Sequence, residues 1–172
     1  HMQAGGYGRV VFTTSSAGLY GNFGQANYGA AKLGLVGLMN ALKHETGKYN
    51  ILVNTVAPVA VTRMTEGLPF ADLIEIATPD RVTPAVVFLA SDACTFSGEV
   101  VAAGGNYFSR VQIVEAQGVR CPIGELPTAE WVADNWARIA DMRGARPFES
   151  AMAAMDGQFK AIESDGGDGE GG

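Results

Sequence analysis

The run GRVVFTTSSAGLYGNFGQANYGAAKLGLVGL, Gly8 to Leu38, changes character twice along its length. Arg9–Thr14 (RVVFTT) is β-branched and apolar, bounded by glycines before and serines after, and reads as a strand buried on both faces of a parallel sheet. From Ala26 to Lys48 the period becomes helical, with Leu35, Leu38, Met39 and Leu42 on one stripe and a stop at Gly47 and Tyr49–Asn50. The glycine-rich residues between strand and helix are more than a simple helix start needs. Ser15 directly follows the strand's C-terminal end, the side on which open α/β sheets place their ligands. Tyr28 and Lys32 are four residues apart, so a helix puts both side chains on one face about one turn apart.

Outward from this segment the alternation continues. Ile51–Ala57 (ILVNTVA) is a second buried strand, stopped by Pro58. Pro84–Ser91 reads as a short helix, and Glu99–Ala103 as a third strand closed by Gly104–Gly105. Strand, helix, strand, helix, strand predicts an α/β fold with a parallel sheet and right-handed crossovers. Thr128 is placed to cap a helix running to about Met142, with Glu130 in its first turn. Another helix is expected from Phe148 to Ile162, and the polar tail ending in DGGDGEGG is expected to be disordered.

Bulk composition narrows the function classes. The chain has 172 residues, 47% apolar and 17% charged, enough for one domain with a real core. A net charge of -6 argues against nucleic acid and anionic membranes, which demand clustered Lys and Arg. There is no apolar run of bilayer-spanning length and no signal peptide pattern. Cys94 and Cys121 stand alone, which suits free thiols in a reducing cytoplasm. His1–Met2 reads as a cloning remnant. His44–Glu45 has no further ligands at metal spacing and reads as a surface pair, so no metal is expected.

The constellation Ser15, Tyr28 and Lys32 suits proton transfer to or from a carbonyl or alcohol oxygen. A free phenol titrates near 10, too high for efficient acid–base work at neutral pH, and a fixed ammonium nearby favours the phenolate. A fall of three units corresponds to about 4 kcal/mol of differential interaction. A serine hydroxyl would hold the reacting oxygen against the phenol. None of these groups supplies a hydride, so a cofactor must. In a chain with five tyrosines, a Tyr-x-x-x-Lys pair by itself is an ordinary product of composition; the strand end and the glycines give it weight.

Gly8–Leu38 resembles the active-site segment of the short-chain dehydrogenase/reductase family, in which a catalytic Ser precedes the Tyr by thirteen positions and a Lys follows it by four. Ser15, Tyr28 and Lys32 match that spacing, and Ser16 is one step out of register. VNTVAPVAVTRMT is similar to the family's loop after its sixth strand; Pro58 and Thr62 fit it, with Thr62 implied to contact the nicotinamide carboxamide, and Val59 replaces the usual glycine. VTPAVVFLASDACTFSGEVVAAGG is similar to the family's last helix and strand. TAEWVADNWARIADM is similar to the C-terminal extension of (3R)-hydroxyacyl-CoA dehydrogenase units in multifunctional β-oxidation enzymes, through Thr128, Glu130, Val132, Asn135, Trp136 and Ile139.

The resemblance implies the C-terminal half of a doubly wound, Rossmann-like fold over residues 3–105, a helical extension over 106–163 and a tail over 164–172. It implies an NAD(P)-dependent oxidoreductase, NAD slightly favoured over NADP, that interconverts 3-hydroxyacyl and 3-ketoacyl thioesters. Tyr28 and Lys32 would then serve both catalysis and cofactor binding. The family's Gly-x-x-x-Gly-x-Gly turn, its Asn-Asn-Ala-Gly segment and its helix asparagine do not occur upstream of Ser15. Such a chain would expose an apolar sheet edge, so a missing N-terminal half or partner chain is expected to cover it. Gly29, Gly34 and Gly37 each cost helix stability, roughly 1 kcal/mol, which suits close approach of another backbone or of the cofactor; the resemblance implies helix-to-helix contact across a dimer or tetramer. Two other functions fit the residues: a non-catalytic dehydrogenase-like assembly module, and the same chemistry on a steroid or other hydrophobic ketone.

Overall fold

The computed structural model describes residues 1–61 and 76–165, with side chains in the last helix described to residue 159. The chain divides into two compact units, His1–Val111 and Gln112–Gly172. In the first, after a helical turn α1 (Met2–Gly5), the chain runs β1 (Gly8–Thr13), α2 (Ser16–Tyr20), α3 (Ala26–Thr46), β2 (Ile51–Pro58), α4 (Thr83–Leu89), β3 (Val100–Gly104) and β4 (Tyr107–Val111). His1–Met2 therefore does carry structure: Met2 starts α1 and accepts from the Tyr7 amide at 3.3 Å.

The sheet order is β1-β2-β3-β4. β1 lies parallel to β2, from Gly8 opposite Ile51 to Thr13 opposite Val56, and β2 parallel to β3, from Thr55 opposite Val100 to Pro58 opposite Ala103. Three parallel strands joined through helices are what the apolar runs predict. The period-2 alternation sends their side chains to two cores. Val53 and Val100 pack with Val36 and Met39 of α3 on one face; Val56 and Ala103 pack with Val82 and Ala85 beside and on α4 on the other. Both faces are thus covered, as a parallel sheet requires. β2 is buried continuously from Val53 to Ala57. Its two buried polar side chains have partners: the Thr55 hydroxyl donates to Met39 Sδ at 3.0 Å, and Asn54 Nδ2 donates to the Phe96 carbonyl at 3.0 Å.

The first unit runs past the Gly105 boundary expected from sequence, because Tyr107–Val111 turns back and pairs antiparallel with β3. Gly105 and Asn106 both have positive φ, 56° and 64°, the backbone of a two-residue type I′ hairpin. α3 ends at Thr46 and is followed by a tighter turn, Gly47–Tyr49; the left-handed stop is Asn50, while Gly47 stays right-handed.

The second unit holds α5 (Ala129–Asp134), α6 (Trp136–Ile139) and α7 (Ala151–Asp165). Thr128 does cap α5, accepting from the Trp131 amide at 3.1 Å. The single helix expected to about Met142 is broken at Asn135, whose Nδ2 donates to the Trp131 carbonyl at 2.9 Å. Side-chain competition for helix carbonyls is the ordinary way Asn interrupts a helix. Between residues 112 and 159 no described side chain is buried. Residues 166–172, most of the expected tail, lie outside the described residues.

Candidate active site

β1 delivers three consecutive residues to one place. Thr13 ends the strand, Thr14 is buried with 1% exposure, and Ser15 caps α2, its Oγ accepting from the Ala17 amide at 3.2 Å. α2 folds against α3 at very short range. A β-carbon on Gly29 would meet the Ala17 carbonyl oxygen at 3.1 Å, and one on buried Gly18 would meet Lys32 Cβ at 2.8 Å. Glycine at both positions is what allows the two backbones to touch.

Tyr28 and Lys32 share a face of α3, and Lys32 Nζ lies 5.6 Å from the centroid of the Tyr28 ring. Tyr28 is 42% exposed. The Lys32 ammonium donates to the Thr13 carbonyl at 2.9 Å, which anchors the cation at the C-terminal end of β1. The structure therefore brings Lys32 to Tyr28 and ties Lys32 to the strand that carries Ser15. At this distance the ammonium lies within cation–π range of the Tyr28 ring. Tyr7 is a useful contrast. Its phenol is pushed up by a hydrogen bond to Asp92, the wrong direction for a base, and it precedes β1 at the opposite end of the sheet.

Pro58 ends β2, next in the sheet to β1, and is part-buried. Thr62 lies outside the described residues. Val59, which stands where the resemblance has glycine, needs no glycine here: the non-glycine residues with positive φ among those described are Asn50 and Asn106. The tight neighbour is Gly104, where a β-carbon would collide with the Val59 carbonyl oxygen. Sequence reasoning missed Thr13 and Thr14. A backbone carbonyl acceptor has no residue-type signature, and Thr14 looked like one more β-branched strand residue. Among the described residues no cluster of His, Cys, Asp and Glu could hold a metal, and no helix is long and apolar enough to cross a membrane.

Comparison with known proteins agrees with this geometry. Residues 1–69 match the family model described as short chain dehydrogenase. The chain is 44% identical over 146 residues to a short-chain type dehydrogenase/reductase of Mycobacterium tuberculosis, covering 85% of this chain and 50% of that protein. It is 39% identical over 170 residues to peroxisomal multifunctional enzyme A of Dictyostelium discoideum, covering 99% and 38%. The solved structure of full-length peroxisomal multifunctional enzyme type 2 from Drosophila melanogaster superposes with a TM-score of 0.84 at 31% identity, covering 98% of this chain and 31% of that one. The chain thus spans half or less of the length of these relatives. Strand order, the Ser15–Tyr28–Lys32 spacing and these likenesses converge on the short-chain dehydrogenase/reductase family, to which the chain is similar in sequence and fold.

Proposed function

We propose that this chain carries the proton-transfer half of an NAD(P)-dependent oxidoreductase that interconverts 3-hydroxyacyl and 3-ketoacyl thioesters. The observation that carries the reading is the Lys32 ammonium 5.6 Å from the Tyr28 ring centroid, at the C-terminal end of the strand that leads into Ser15. Tyr28 is the general acid and base, giving its proton to a keto oxygen or taking one from a hydroxyl. Lys32 stabilises the phenolate left behind and offers N–H donors to the ribose of the cofactor. The Ser15 hydroxyl donates to the substrate oxygen and holds it against Tyr28. Such a cofactor, when bound, supplies or accepts the hydride that no side chain here can.

The residues present suit the nicotinamide and ribose end of the cofactor: a half-exposed tyrosine, a neighbouring ammonium, and Pro58 at the adjacent strand end. Thr62 is assigned to the carboxamide by the resemblance, and NAD is favoured over NADP. The glycine-rich turn for the pyrophosphate is not among these residues, so the complete site needs a further segment or partner chain, which we place on the outer edge of β1. Thioester substrates are supported by the relatives' names, which include an acetoacetyl-CoA reductase of Rhizobium meliloti and a 3-oxoacyl-[acyl-carrier-protein] reductase of Chlamydia muridarum. The free thiols of Cys94 and Cys121 support a reducing compartment, and we keep the cytoplasm as its location. The division into catalytic half, extension and tail is kept with its first boundary moved from Gly105 to Val111, where β4 ends, and with the tail beginning after α7 at Asp165.

The test is steady-state turnover of 3-hydroxyacyl and 3-ketoacyl thioesters by the intact enzyme, with Tyr28→Phe beside it. Loss of a positioned acid–base group costs about 10²–10⁴ in rate, and Tyr28→Phe is expected to lose at least that while still binding the cofactor. Undiminished turnover by Tyr28→Phe removes the assignment.

A further inference from the structure

Thr14 is not part of the Ser15–Tyr28–Lys32 set, yet its buried side chain bonds directly to Lys32. Its amide donates to the Val56 carbonyl at 2.8 Å, continuing the β1–β2 ladder one residue beyond the strand. Its hydroxyl donates to the Lys32 carbonyl at 2.7 Å. Lys32 lies well inside α3, where its carbonyl already serves the helix ladder; a carbonyl oxygen has a second lone pair, and Thr14 uses it. The bond thus joins the end of a strand to the middle of a helix rather than capping a helix end.

Residue 32 is held from three sides by the short stretch that also carries Ser15. The Thr14 hydroxyl takes its carbonyl, the Thr13 carbonyl takes its ammonium at 2.9 Å, and Gly18 stands against its Cβ. We propose that Thr14 is a positioning residue: its buried hydroxyl fixes the height and rotation of α3 at Lys32, and one turn back at Tyr28, relative to Ser15. The proposal rests on the catalytic reading above. A valine would fill the same space without the donor, leave the Lys32 carbonyl its ladder bond, and free α3 to slide; displacements of about 1 Å in such sites cost up to about 10² in rate.

The test compares Thr14→Ser, which keeps the hydroxyl, with Thr14→Ala and Thr14→Val, which lose it. In the intact enzyme the lysine amines are labelled by ¹³C-methylation and followed by NMR, with Lys43 and Lys48 as internal references. The Lys32 resonance is expected to move in Thr14→Ala and Thr14→Val, and to stay near the parent position in Thr14→Ser. In the intact enzyme, Thr14→Ala is expected to lower kcat about 10- to 100-fold with KM for the cofactor changed less than about twofold, and Thr14→Ser to restore it. A folded Thr14→Ala chain with Lys32 unmoved, or kcat equal in Thr14→Ala and Thr14→Ser, overturns the proposal. Should Thr14→Val not fold, the Ala–Ser difference still isolates the hydroxyl. Should the parent turn over no thioester, the functional reading fails, and the Lys32 resonance alone decides the positioning role.

Discussion

Gly18 lies so close to Lys32 that a β-carbon on it would come to 2.8 Å from Lys32 Cβ and 3.0 Å from the Leu33 amide nitrogen. The obstructing atoms belong to backbone and its first side-chain carbon, so no flexible tip can move aside. Gly18→Ala is therefore expected to destabilise the fold by about 1–3 kcal/mol through overpacking, seen as a lower urea midpoint at unchanged m-value. A midpoint equal to the parent's would mean that α2 shifts off α3 without cost.

The glycines farther along α3 behave differently. Gly29 faces the Ala17 carbonyl, but β-carbons on Gly34 and Gly37 would meet nothing within 4 Å. Nothing among the described residues explains glycine at those two positions. Gly34→Ala and Gly37→Ala are expected to stabilise the monomer by up to about 1 kcal/mol each and to weaken self-association, read by thermal melts at low concentration and by sedimentation equilibrium. Association unchanged in both variants would remove this face from the oligomer interface.

β1 ends the sheet order, and its outer edge is unpaired among the described residues. An apolar strand edge of this kind recruits other strands. This chain by itself is expected to self-associate at micromolar concentration and to become monodisperse when the segment that covers β1 is supplied. A monodisperse monomer with one cooperative unfolding transition contradicts this.

In the second unit, the Arg143 side chain and amide donate to Asp141 at 2.8–3.0 Å, and these bonds hold the Asp141 carboxyl below the usual carboxylate range. A carboxyl lowered on folding contributes stability that is present above its unfolded value and fades as pH falls through the folded one. Arg143→Ala is expected to raise the Asp141 titration midpoint, measured by NMR. The Arg143 side chain is 91% exposed, so the change in unfolding free energy should be small and should fade with salt.

Much of this architecture was legible because buried parallel strands write themselves as continuous β-branched runs, as in Val10–Thr13 and Ile51–Ala57. β4 was not, because Tyr-Phe-Ser-Arg-Val offers no apolar run, and its outward Arg110 pairs with Glu99, the residue just before β3. The Gly105–Asn106 dipeptide did carry a hairpin signal, but Gly104–Gly105 read equally well as a stop. Asn135 inside an otherwise helical pattern hid a break that only its hydrogen bond to Trp131 explains. At the site, the strand end, the glycines and the family resemblance together pointed to Ser15, Tyr28 and Lys32. Lys32 is bonded to a carbonyl and a buried hydroxyl, neither of which composition distinguishes from strand.

One residue closes the sheet ladder with its amide and steadies the lysine with its hydroxyl. Pairing of β1 with β2 and assembly of the reactive groups are then a single cooperative event. On the catalytic reading proposed above, a half-assembled molecule would have no half-speed chemistry, and the specific activity of a preparation would count the molecules whose strands have zipped to their last rung.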